Sequence, residues 1–303
     1  MSKISLPQLP LREWQDTQAT LHMWAQIVGK IANARTPLVN HFWNSTLRVT
    51  TCGLTTLPLG DGGDTFTMEF DFIAHELVVK CETGEMRAIK LKPQTVSLFY
   101  DAVMAALGEL KVDTKIWTMP VELENPIRFT EDTRHKSYEA EYVERFHAII
   151  SWVHGVFSEF HSRFIGKSSP VHFFWGSFDL AVTRFNGEKA PPRNGADYIT
   201  REAYSHKNIS HGFWCGGGAV LEPAFYGYSA PEPDGFKQAI ALPSEAFYHK
   251  DLNEFVLPYE AIRKSDSPEK ALLDFMQSIY EAAANLADWK REELERPKAQ
   301  AVS

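Results

Sequence analysis

SPVHFFWGSFDLAVTRFNG, residues 169–187, is the stretch on which the reading of the fold turns. Its density of aromatic and β-branched residues is that of a buried strand, yet it carries His172, Ser177, Asp179 and Arg184. By parity Phe173, Trp175, Ser177 and Asp179 share one face, and His172, Phe174, Phe178, Leu180 and Val182 share the other. Neither face is cleanly polar, so the strand is not half-exposed. Polar groups in such surroundings need partners, because an unpaired buried one costs about 1–3 kcal/mol. Either Asp179 and Arg184 are structural, or these groups floor a ligand pocket.

Working outward, residues 13–34 place Trp14, Leu21, Trp24, Ile27, Val28 and Ile31 at helical spacing, and Pro37 limits any extension. Four β-type runs follow at 45–51, 65–73, 76–81 and 86–91, then a helical run at 95–110. A Pro-bracketed connection, 120–137, leads to a second helix at 138–165 and the opening strand. Further β-like pieces lie at 219–229, 236–242 and 255–259. A helix at 267–286 closes the series, with Ser267 as N-cap and Pro268 at the first helical position. FWNSTLRVT (42–50) matches FWGSFDLAVT (174–183) with one gap. The extra residue near Phe178 or Asp179 reads as a β-bulge, a feature that re-aims side chains beside active sites.

The fold expected is α+β: two similar α-β4-α units, an internal duplication, with mainly antiparallel sheets packed against helices. The first unit spans 1–119 and the second 138–288, joined by the connection 120–137. A long loop at 186–218, read as an ordered lid or pocket wall, is inserted in the second. A polar, frayed tail covers 289–303.

Composition narrows the function classes. Of 303 residues, 44% are hydrophobic and 23% charged, ordinary globular values. Aromatic content is high at 13%, which suits a bulky core or an apolar cleft. A formal charge of −8, with no basic stripe, argues against a nucleic-acid partner. The opening residues lack the apolar stretch of a signal peptide, and no run reaches the roughly 20 apolar residues of a membrane span. Cys52, Cys81 and Cys215 are scattered and odd in number, so the expectation is a reducing cytoplasm.

Several residues point to chemistry. Glu202 and His206 stand at i and i+4 within REAYSHKN (201–208), one above the other if the segment is helical. A carboxylate that orients an imidazole is a general-base arrangement, so this pair is the catalytic candidate. His172, Trp175, Asp179, Arg184 and Trp214 are the ligand-binding candidates, with His22, His41 and Arg201 secondary. His147, His154 and His161 recur every seven residues, which separates neighbours by about 10.5 Å along a helix. Metal–nitrogen bonds are about 2 Å, so these three cannot share an ion and read as a partly solvated face. Metal content and cofactors stay open, since no HExxH or HxH signature is present. Gly216–Gly218 lacks the GK[ST] ending of a phosphate loop, and Ser177 lacks a GxSxG elbow. Cys215 is the one cysteine considered as a nucleophile, with a structural role favoured.

The blocks WQDTQATLHMWAQIVGK (14–30), NHFW (40–43), CGLTT (52–56), FDFIAHEL (70–77), RFIGKSSPVHFFWGSFDLAVTRF (163–185), REAYSH (201–206), PEPDGF (231–236) and QSIYEAAA (277–284) resemble those of a bacterial family, domain of unknown function 5996. The resemblance runs from about residue 10 to about residue 290 and carries no established activity. At Cys215 the family often has proline, which counts against a cysteine nucleophile. The leading expectation is an enzyme using a His/Glu/Asp pocket for acid–base chemistry on a small molecule. A non-catalytic ligand binder or sensor, and a protein-interaction module, are the alternatives; the oligomeric state is open.

Overall fold

The computed structural model describes residues 6–60 and 64–297. The chain is α+β, as expected, with two antiparallel sheets. It divides into two compact units. The first comprises Leu9–Ser151 with Phe173–Asp179; the second comprises the described residues up to Gln8, Trp152–His172, and Leu180 onward.

In the first unit α1 (Leu11–Arg35) precedes five strands: β1 (Arg48–Val49), β2 (Gly53–Thr55), β3 (Phe66–Asp71), β4 (Glu76–Cys81) and β5 (Met86–Lys90). They pair in chain order as a meander. The register sets Phe66 opposite Cys81, Met68 opposite Val79 and Phe70 opposite Leu77, and all six are buried while their neighbours are not. This alternation is what fixes the pairing, since a one-residue slip would turn the whole apolar set to solvent. Helix α2 (Val96–Glu109) packs on α1 and β5. Its start is fixed by Thr95, whose side chain accepts from the Leu98 amide at 3.3 Å. Trp24 of α1 stacks on Phe99 of α2 with ring centroids 4.5 Å apart.

Helix α3 (Ala140–Ser162) contributes residues 140–151 to the first unit and 152–162 to the second. After it come β6 (His172–Phe174), β7 (Asp179–Lys189), α4 (Tyr198–Ala203), β8 (His206–Trp214), β9 (Ala224–Ala230), β10 (Phe247–His249), β11 (Glu254–Pro258), α5 (Tyr259–Lys264), α6 (Pro268–Leu286) and α7 (Arg291–Leu294). The second sheet runs β10-β11-β9-β8-β7-β6. Helix α6 lays Leu272, Phe275, Met276, Ile279 and Tyr280 inward against β8 and β9.

Several local expectations are corrected. The stretch 172–187 is not one bulged strand: residues 175–178 form a turn, with Phe178 in the left-handed region at φ 58°. The turn ends the face parity read from the sequence. Nor is 186–218 a loop: β7 runs to Lys189, and β8 within it is a buried interior strand. Its Asn, Ser, His and Gly disguise it, because a strand covered on both faces shows no alternation. FKQAIAL (236–242) is a 3-10 turn over Phe236–Gln238 followed by irregular chain. Ser267 occupies the N-cap position but its side chain makes no cap bond. β2 was missed altogether. His147 is buried, donating to the Thr50 carbonyl at 3.2 Å, rather than solvated. The described part of the tail is not frayed, since the Arg296 amide donates to the Arg163 carbonyl at 2.8 Å; residues 298–303 lie outside the described residues.

The 175–178 turn is seated on α1. A Cβ built on Gly29 would lie 2.1 Å from the Trp175 indole, and that indole donates Nε1–H to the Ser45 carbonyl at 3.0 Å. Gly29→Ala gains helix propensity of about 1 kcal/mol, but the overlap forces the indole out of its notch. The expected net result is a loss of about 1–2 kcal/mol, read as a lower urea midpoint with unchanged m-value. An unchanged or raised midpoint would show that the indole moves freely.

Candidate functional site

The residues singled out from the sequence fall in both units. His22, His41, Trp175 and Asp179 belong to the first; His172, Arg184, Arg201, Glu202, His206 and Trp214 belong to the second. In the second, α4 ends at Ala203 and His206 opens β8, so Glu202 and His206 are not on successive turns of one helix. That premise of the catalytic candidate is corrected. The His206 Nδ1 lies 3.1 Å from Ser205 Oγ, and burial, then Lys167 and Lys189, lower its pKa. Arg201 is exposed, Trp214 half-buried at the end of β8, and His172 buried. Arg184 lies in the core of its unit with 1% of its surface exposed.

In the first unit Asp179 accepts from Ser177 Oγ at 2.5 Å and Trp175 fills the Gly29 notch, so both are engaged within the turn. His41 is buried in a 3-10 turn with φ 57°, its ring 5.2 Å from that of Trp43. His22 is the member in a chemically distinctive setting. It projects from α1 toward the turn, its Nε2 2.8 Å from the Gly176 carbonyl and its ring 5.1 Å from that of Phe178. A carbonyl can only accept, so the shorter contact puts the proton on Nε2 and leaves Nδ1 as the basic nitrogen, and the Gln26 amide nitrogen, 3.2 Å from Nε2, does not donate to it. Burial holds the pKa down to about 4, against the opposing pull of the Gly176 and Trp175 carbonyls. The ring is densely surrounded by protein, while the residue as a whole is part-buried.

The 120–137 connection completes this setting. Gln26, one turn beyond His22 and fully buried, grips the backbone of Val121: it accepts from the amide and donates to the carbonyl, each at 2.8 Å. Glu122 follows with φ 58°, and a Cβ on Gly176 would lie 2.6 Å from its Oε1, so the glycine is what lets the carboxylate approach. Farther along, Asp132 is completely buried. Its Oδ1 accepts the Arg134 and His135 amides at 3.0 and 3.1 Å, and its Oδ2 takes His135 Nδ1 at 2.7 Å. That bond fixes the tautomer and turns Nε2 outward on a ring whose side chain is 17% accessible. His135 is close enough for a charge on it to depress His22.

Sequence reading named His22 but missed Gln26, Asp132 and His135. EDTRH (131–135) carries a signal, an Asx turn with His three residues on, yet nothing local to it marks the aspartate as buried. Its burial comes from α2, whose Val96 and Ser97 amides donate to the His135 and Asp132 carbonyls at 3.0 and 3.1 Å. Beside this loop an open groove of about 480 Å³ is lined by Thr95, Leu98, Lys136, Ser137, Tyr138 and Glu139, among others. Among the described residues no group of three or more His, Cys, Asp and Glu side chains is arranged to hold a metal ion.

A depressed histidine makes stability pH-dependent. Between pH 6.5 and 4 the unfolded chain takes up a proton at His22 that the folded chain refuses. The contribution is complete above about pH 6.5, in the sense that no protonation opposes folding, and about 3 kcal/mol is lost as the pH falls to 4. Urea midpoints should therefore fall over that window in the native chain and fall less in His22→Gln. Equal slopes would contradict the buried neutral imidazole.

No curated protein and no solved structure matches the chain. A family model does, over residues 6–296, which is nearly the whole length and takes in both units. The chain belongs to the Family of unknown function (DUF5996).

Proposed function

We propose that the chain is an enzyme of general acid–base chemistry acting on a small polar molecule, centred on the imidazoles of the first unit. His135 is the proton-transfer group, Asp132 its orienting carboxylate, and His22 a neutral hydrogen-bonding partner beside them. The observation that carries the reading is the fully buried Asp132 bonded at 2.7 Å to a partly accessible imidazole. A carboxylate so placed has little to do for folding that its backbone bonds do not already do, whereas it holds the ring ready to accept a proton at Nε2. This centre replaces Glu202 and His206 as the proposed catalytic pair.

A small molecule suits the site better than nucleic acid, given the formal charge of −8. Among the described residues no helix is long and apolar enough to cross a membrane. Cys52 and Cys81 are in no disulfide, which fits the proposed cytoplasmic setting. The proposal of duplication draws support from Trp43 and Trp175, each of which opens a turn leading into a strand. The second reading, a ligand binder without turnover, is favoured by the open groove beside the loop.

The two readings separate in one experiment. The purified chain is incubated with a metabolite extract and the mixture followed by mass spectrometry. A compound should be consumed by the native chain, with the rate lowered about 10²–10⁴-fold in His135→Gln and Asp132→Asn. Consumption at the native rate by both variants would remove the dyad from the chemistry. Retention of a compound without its conversion would favour the binder.

A further inference from the structure

In the second unit a guanidinium is buried with no carboxylate in contact among the described residues. Rings cover its faces: the Arg184 guanidinium carbon lies 3.5 Å from the centroid of Phe160, 4.3 Å from Tyr280 and 5.0 Å from Phe164. One Nη donates to the Phe160 carbonyl, while Nε has no acceptor. Two more polar groups stand around the same ring unused. The Tyr280 hydroxyl makes no well-aligned hydrogen bond, although Arg184 and Glu295 are both close enough to act on it. His211, with 0% of its surface exposed and its ring 5.0 Å from Phe160, has none at either nitrogen, the Met276 carbonyl lying out of alignment.

The surrounding charge offsets this group only in part. Glu295 is near enough to act on both Arg184 and Tyr280, but its two oxygens are held by Arg291 at 2.5 and 3.3 Å. Arg163 adds positive charge. Burial lowers the Arg184 pKa to about 9, which still leaves it charged at neutral pH. A buried cation compensated only in part still costs free energy on the order of kcal/mol. With both faces stacked, its remaining N–H points along the guanidinium plane, where an acceptor satisfies charge and hydrogen bond together.

We propose that Arg184, His211 and Tyr280 form a binding site for a small monovalent anion, either a halide or the carboxylate of a small organic acid. The C-terminal segment closes over it: the Ile165 amide donates to the Leu294 carbonyl, and Phe164 bridges Glu295. This site lies in the other unit from the proposed acid–base centre and does not depend on it.

The test is thermal unfolding of the full chain in chloride, and separately in formate, at ionic strength held constant with methanesulfonate, which is neither halide nor carboxylate. Above the dissociation constant, Tm should rise by about 3 °C for each tenfold increase in the bound anion. A response to chloride alone identifies a halide site, and a response to formate identifies a carboxylate site. Arg184→Met should abolish the response. Tyr280→Phe, which removes one hydroxyl and keeps the ring, should shift the response to about tenfold higher anion, and it serves if Arg184→Met does not fold. A native Tm indifferent to both anions, or variants that respond as the native chain does, would overturn the site.

Discussion

The first unit depends on how a four-residue turn, Trp175–Phe178, is held against a helix. The indole of Trp175 occupies a notch that exists only because position 29 has no side chain. Gly176 gives its carbonyl to His22. Phe178 accepts a left-handed backbone, which costs a non-glycine residue about 1–2 kcal/mol, and recovers it by burying its ring against Phe146, Phe173 and His22 at 5.0–5.5 Å. Each of these contacts constrains the others. Moving the indole would shift the Gly176 carbonyl, and with it the tautomer of His22.

The same helix explains how the connection 120–137, with no regular structure of its own, reaches a defined place. Gln26 pairs with Val121 as a neighbouring strand would, and Thr17 and Thr20 accept the Glu139 and Ser137 amides at 3.1 Å. Helix α2 supplies two further amides to Asp132 and His135. The imidazole of His135 is thus fixed by a loop whose backbone is anchored at both ends. That is the preorganisation acid–base chemistry needs, because a proton-transfer group must already be oriented when its substrate arrives.

The two units place cationic groups in contrasting settings. In the first, burial keeps His22 neutral, a cheap solution for a group whose ordinary pKa lies near neutrality. In the second, Arg184 cannot shed its proton at neutral pH and is stacked between rings instead. Aromatic faces stabilise a cation but offer no hydrogen-bond acceptor. The donors left over at Arg184 follow from that difference.

The sequence by itself determined the α+β class and most of the long elements. Helices α1, α2, α3 and α6 and strands β3 and β4 are legible because a buried face imposes a period of 3.6 or 2 on the side chains. It also made Arg184 conspicuous, as a charged residue inside an apolar run, and offered His22 as a secondary candidate. It misread 175–178, where continuous hydrophobicity hid a turn, and β8, where burial on both faces erased the alternation. Only the tertiary structure decided the functional geometry. Asp132 and His135 sit in a stretch with no periodicity, and Asp132 is buried by a helix some 30 residues earlier in the chain. Nor does anything near Arg184 in the chain say that Glu295 is spent on Arg291. Local pattern records which face of an element is dry; which distant groups share that dry space is settled by packing.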